Sequence, residues 1–85
     1  TMESIFTQGN QKLLDGEATS ALVDYMKCES AFEDGRDFYF ANRALAYLKI
    51  KDYTRCVADC RRALKIVEHE PSYYRMGAAY FELEE

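Results

Sequence analysis

Residues 40–64, FANRALAYLKIKDYTRCVADCRRAL, read as two helices joined by a short turn. From Phe38 to Ile50 apolar side chains recur on nearly every face, as expected of a helix clasped between neighbours, and Lys51-Asp52 supplies the turn. The next helix runs from about Tyr53 to Val67 and is amphipathic, with Arg55, Arg61, Arg62 and Lys65 on its polar side. Small residues (Ala44 on the first helix, Cys56, Cys60 and Ala63 on the second) let the two approach closely, and Tyr47 fills the space beside them.

Reading outward, the same arrangement returns. Ile5, Leu13 and Leu14 mark a first helix ending near Asp15-Gly16, and Ala21, Leu22, Tyr25, Cys28 and Phe32 mark a second that stops near Asp34-Gly35. Pro71 sits where a first-turn proline is tolerated, opening a fifth helix through Tyr74, Ala78 and Phe81. Gly9, Ala21, Tyr25 and Cys28 recur 35 positions later as Ala44, Cys56, Cys60 and Ala63; Phe40, Ala44 and Tyr47 recur 33 later as Tyr73, Gly77 and Tyr80. A period of about 34 residues signifies a stacked helical repeat, whose pairs bury their apolar faces only against neighbours and together form a concave surface. The expected class is all-α, with five antiparallel helices: two pairs and the first helix of a third.

Composition excludes much else. A chain of 85 residues makes one small domain, and 48% hydrophobic with 31% charged residues fits a soluble helical one. No apolar run is long enough to cross a bilayer, the N-terminus lacks the plan of a secretory signal, and three cysteines form no disulfide framework. A cytoplasmic location with reduced thiols and no membrane contact is the expectation. The net charge of −4 is unevenly spread: residues 1–35 carry seven acids and two bases, residues 36–66 three acids and eight bases, and residues 67–85 five acids and one base. The basic centre lies mostly on one solvated helix face and the chain is acidic overall, which opposes nucleic-acid binding.

Catalytic constellations are absent from the sequence. Cys56 and Cys60 lie on one helical face but occupy close-packing positions, with no histidine pair to complete a metal site. His69 is the sole histidine and sits at a helix end, and no carboxylate pair stands beside a nucleophile. No enzymatic activity, metal or cofactor is expected of these residues.

With Ala44, Tyr47, Cys56, Cys60 and Ala63 at the signature positions, the chain resembles the tetratricopeptide repeat family along nearly its whole length. The resemblance implies repeat one at about 2–36, repeat two at about 37–69 and the first helix of repeat three at about 70–85. It departs from the family pattern at Ala18, where an aromatic is usual, and at Val67-Glu68, where a proline commonly closes the repeat. An excised piece of a longer protein is the expectation, with Thr1 an expression remnant and self-association through the bare last helix.

The concave face is then the candidate site. By spacing its inward positions are Phe6, Asn10 and Leu13, then Ala41, Asn42, Leu45 and Lys49, then Pro71, Tyr74, Arg75 and Ala78. Asparagine is a poor helix former, so Asn10 and Asn42 on inward faces invite a functional reading, in which an amide holds a peptide carboxylate or backbone. Phe6 and Tyr74 offer an apolar floor for a partner's side chain, or else core packing, the more frequent use of aromatics at helical spacing. In co-chaperone members of the family a clamp of two lysines, two asparagines and a further basic residue grips the C-terminus of heat-shock chaperones. The resemblance places Asn10, Asn42 and Arg75 on three of those positions, and Phe6 and Pro71 on the two lysine positions. A charge-assisted contact contributes about 1.5 to 3 kcal/mol, so losing both lysines lowers affinity roughly a hundredfold unless Lys49 or Lys12 substitutes. The expected function is a protein-interaction module binding a partner peptide, a heat-shock chaperone C-terminus among the candidates; the alternative is a structural or targeting scaffold of a larger protein or enzyme, packing through the last helix.

Overall fold

The computed structural model describes residues 1–32 and 36–84, and its elements are helices throughout: α1 (Met2–Leu14), α2 (Ala18–Lys27), α3 (Glu29–Phe32), α4 (Asp37–Lys49), α5 (Tyr53–Ile66) and α6 (Glu70–Leu83). α1 packs on α2, α4 on α5 and α5 on α6, while α2 also meets α4 and α4 meets α6. The all-α helical-repeat class is therefore observed.

The helix starts and stops have local causes. Thr1 caps α1 through its side chain to the Ser4 amide, and Asp52 caps α5 through the Arg55 amide. Pro71 lies in the first turn of α6, where its missing N–H costs nothing. α1 and α4 end in the same way. Gly16 (φ 82) donates its amide to Leu13 and Glu17 to Lys12; Lys51 (φ 68) donates to Leu48 and Asp52 to Tyr47. Both are Schellman ends, and the second places a lysine where glycine is the unstrained choice.

The expected second helix is broken into α2 and α3 at Cys28, a correction to the five-helix reading; its expected stop at Asp34-Gly35 lies outside the described residues. The break is tertiary in origin. Tyr39 of α4 drives its hydroxyl into the Tyr25 carbonyl at 2.6 Å, and the Cys28 amide and thiol lie on the same oxygen at 3.3 and 3.6 Å. A side chain inserted into the helical ladder in this way is a recognised cause of a kink.

The core is aromatic at one end and fine-grained at the other. Phe6, Tyr25, Phe32 and Tyr39 form a buried ring cluster, with Phe32 and Tyr39 stacked at 5.6 Å. Around α5 the core is Ala44, Cys56, Val57, Cys60 and Ala79. A Cβ on Gly9 would lie 2.9 Å from a Tyr25 ring carbon, so only glycine admits the tyrosine there.

Two buried aspartates tie the pairs together, both on outer helices. Asp59 takes a bidentate contact from Arg43 (Nε 2.7 Å, Nη2 2.9 Å) and a third from Arg62 (2.7 Å). Asp24 lies 2.9 Å from the Lys12 ammonium.

Candidate functional site

Residues of α1 and α4 line one recess, and residues of α4, the Lys51 turn, α5 and α6 line another. In α1 the buried stripe is Phe6, Gly9 and Leu13, and Asn10 sits at its edge, half-buried. In α4, Asn42, Leu45 and Lys49 follow one another by three or four residues along one face. Asn10, Leu13, Leu14, Asn42, Leu45 and Lys49 line a cavity of about 410 Å³. A second of about 700 Å³ lies between the end of α4 and α6, walled by Tyr73, Tyr74, Gly77 and Phe81 with Lys49 and Lys51. Lys49 lines both, so it stands between a recess of leucines and asparagines and an aromatic one. No ion pair among the described residues holds it.

Of the residues expected at the site, Asn10, Asn42, Lys49 and Tyr74 are brought together in these two recesses. Tyr74 is 77% exposed. Asn10 and Asn42 form one network with the core: the Tyr25 hydroxyl donates to Asn10 Oδ1 at 2.6 Å, and Asn42 Nδ2 donates to the same oxygen at 3.1 Å. Burial, reinforced by Cys28, Tyr39 and Asp24 nearby, pushes the Tyr25 phenol well above its ordinary pKa, so it remains a donor at neutral pH.

Phe6 and Arg75 stand differently from expectation. Phe6 is core: its ring lies 4.9 Å from Phe32 and 5.7 Å from Tyr25, because the stripe it begins faces α2. Arg75 is half-buried and donates Nη1 to the Ala41 carbonyl at 2.9 Å, stitching α6 to α4. Burial lowers its pKa from the ordinary value, partly countered by Cys60 and Cys56. Lys12, a candidate substitute for a clamp lysine, is held by Asp24.

Sequence reasoning missed Tyr25 as the support of Asn10, and missed Asp24 and Asp59 altogether. A signal was present: the two aspartates stand 35 residues apart, the same offset as the other repeated positions. Among the described residues no group of three or more histidines, cysteines or acids is placed to hold a metal, and no helix is long and apolar enough to cross a membrane.

Stacked helix pairs with small residues at the crossings define a helical-repeat domain. Human tetratricopeptide repeat protein 12 is 32% identical over 78 residues, covering 91% of this chain and 11% of that protein. The small glutamine-rich tetratricopeptide repeat-containing protein of Dictyostelium discoideum is 34% identical over 76 residues (88% of this chain, 22% of that protein). The Hsp70/Hsp90 co-chaperone CNS1 of Saccharomyces cerevisiae is 44% identical over 45 residues (52% and 12%). The chain thus belongs to the tetratricopeptide repeat family and spans between about a tenth and a fifth of the length of these curated relatives. No protein-family model matches it.

Proposed function

We propose that the concave face binds a short peptide segment of a partner protein. The observation that carries this is that Lys49 lines both the recess of Asn10, Asn42 and Leu45 and the aromatic recess of Tyr74 and Phe81. Such a groove suits a segment with an acidic side chain for Lys49 and a large apolar one for the aromatic end. A heat-shock chaperone is the partner class to test first, because the yeast relative is named as an Hsp70/Hsp90 co-chaperone. Its C-terminus is the ligand that the clamp resemblance implies. Probing a peptide array tiled over Hsp70 and Hsp90 with the chain and with Lys49→Glu tests the reading: acidic segments should bind the first and lose about tenfold on the second. An identical profile for both proteins removes Lys49 and the groove from consideration.

A structural or targeting role is the second reading, favoured by Phe81 and Leu83 on α6, 69% and 48% exposed. On this reading α6 packs against another domain or a second copy. Sedimentation that depends on concentration in the chain, and not in Phe81→Ser, would support it; a monomer at all concentrations would remove the self-association form.

A further inference from the structure

We infer that the recess between the Lys51 turn and α6 takes a phosphotyrosine side chain of a partner segment, its ring against the aromatic wall and its phosphate between Lys49 and Lys51. The inference rests on the peptide-binding reading above and unites in one residue the acidic and the large apolar groups that reading calls for.

Two residues that border this recess cost the fold stability, and the packing around them requires neither. Lys51 holds a left-handed backbone (φ 68) after α4, where Gly16 serves the equivalent end of α1 without strain. Gly77 lies inside α6, and a glycine in a helix interior is less stable than an alanine. At Gly9 an added Cβ would strike Tyr25, but at Gly77 it would meet nothing within 4 Å, and Ala44 fills the equivalent place in the second pair. Local sacrifices of this kind gather at functional sites.

Each of the two supplies something to the recess. Along an uninterrupted helix, residues two apart stand on different faces; the reversal of the chain at Lys51 brings its side chain to the recess that Lys49 also lines. Both lysines are exposed, and no ion pair among the described residues holds either. Glu82, the acid of the lining, accepts from the Tyr53 hydroxyl at 3.4 Å. On α6, Gly77 and Ala78 leave a low stretch between Tyr74 and Phe81, which are 77% and 69% exposed. A planar ring suits a floor without side chains and walls of aromatic ones. Two uncompensated ammoniums match a dianion: a phosphate monoester carries close to two charges at neutral pH and three acceptor oxygens, and a carboxylate carries one charge. A phosphate at the tip of an aromatic ring answers both halves of the recess.

The test uses acidic decapeptides, acetylated and amidated, with a central tyrosine, phosphotyrosine, sulfotyrosine or phosphoserine, read by fluorescence anisotropy. The phosphotyrosine form should bind about tenfold tighter than the tyrosine form. Sulfotyrosine, with a single charge, and phosphoserine, with no ring, should each bind about threefold or more weaker than phosphotyrosine. In Lys51→Gly the melting temperature should rise while phosphotyrosine affinity falls about fivefold, and in Gly77→Ala it should rise while that affinity falls about threefold. A purely structural role for these residues does not give that opposition. A phosphotyrosine form no tighter than the tyrosine form overturns the inference and leaves the peptide-binding reading standing. Phosphoserine equal to phosphotyrosine overturns the ring slot, and unchanged affinity in Lys51→Gly overturns the assignment of Lys51. No binding of any form overturns the inference and that reading together.

Discussion

The first helix pair, α1 with α2, and the second, α4 with α5, meet the same packing demand with side chains exchanged in size. At the first crossing glycine faces tyrosine, Gly9 against Tyr25; 35 residues on, alanine and cysteine, Ala44 and Cys60, occupy the equivalent places. Each pair also buries one aspartate at the equivalent position, but Asp24 has a lone lysine and Asp59 a bidentate arginine reinforced by a second. The difference has a functional side. Tyr25 is long enough to carry a hydroxyl from the core to Asn10, which it orients, and Cys60 is not. The recess between α1 and α4 is thus supported from the first pair, while the second is locked on its outer side.

The largest test of this contrast is at the aspartates. Asp59→Ala strips the buried Arg43 guanidinium of its bidentate carboxylate and leaves it only the more exposed Glu29 at 3.6 Å, and a loss of about 3 to 5 kcal/mol is expected in urea unfolding, enough to unfold much of a domain this small. Next comes Gly9→Ala, whose new methyl would press on a Tyr25 ring held by a hydrogen bond at its hydroxyl; about 1 to 3 kcal/mol should be lost. Gly77→Ala, with nothing within 4 Å of the added carbon, should instead gain about 0.5 to 1 kcal/mol in the same assay. Asp24→Ala should lose only about 1 to 2 kcal/mol, because the flexible Lys12 stem can carry its ammonium to water. Equal losses at Asp24 and Asp59 would mean that the geometry of the partner is not what separates the pairs. The smallest effect is at the turns, where Lys51→Gly should raise and Gly16→Lys should lower thermal stability, each by about 1 kcal/mol, since both positions are left-handed.

The helix ends were legible because they are local: Gly16, the Lys51-Asp52 turn and Pro71 each act within a few residues of themselves. The break at Cys28 was not, because its cause is a hydroxyl arriving from Tyr39 on another helix. The line of Asn10, Asn42, Lys49 and Tyr74 could be drawn from helical spacing alone. Phe6 could not be placed that way, since the same spacing puts it on the boundary between groove and core, and the aromatic cluster of Tyr25, Phe32 and Tyr39 draws it inward. Arg75 was expected on a ligand, and its bond to the Ala41 carbonyl depends on how closely α6 approaches α4.

The most direct measurement is a nitrogen-resolved NMR titration of the chain with the tightest-binding segment of the tiled peptide array. Binding on the concave face predicts that the side-chain amide signals of Asn10 and Asn42 and the backbone signals of Lys49 and Tyr74 shift together and saturate at one affinity. Shifts confined to the outer helices α2 and α5, with both asparagine side chains unmoved, would contradict it.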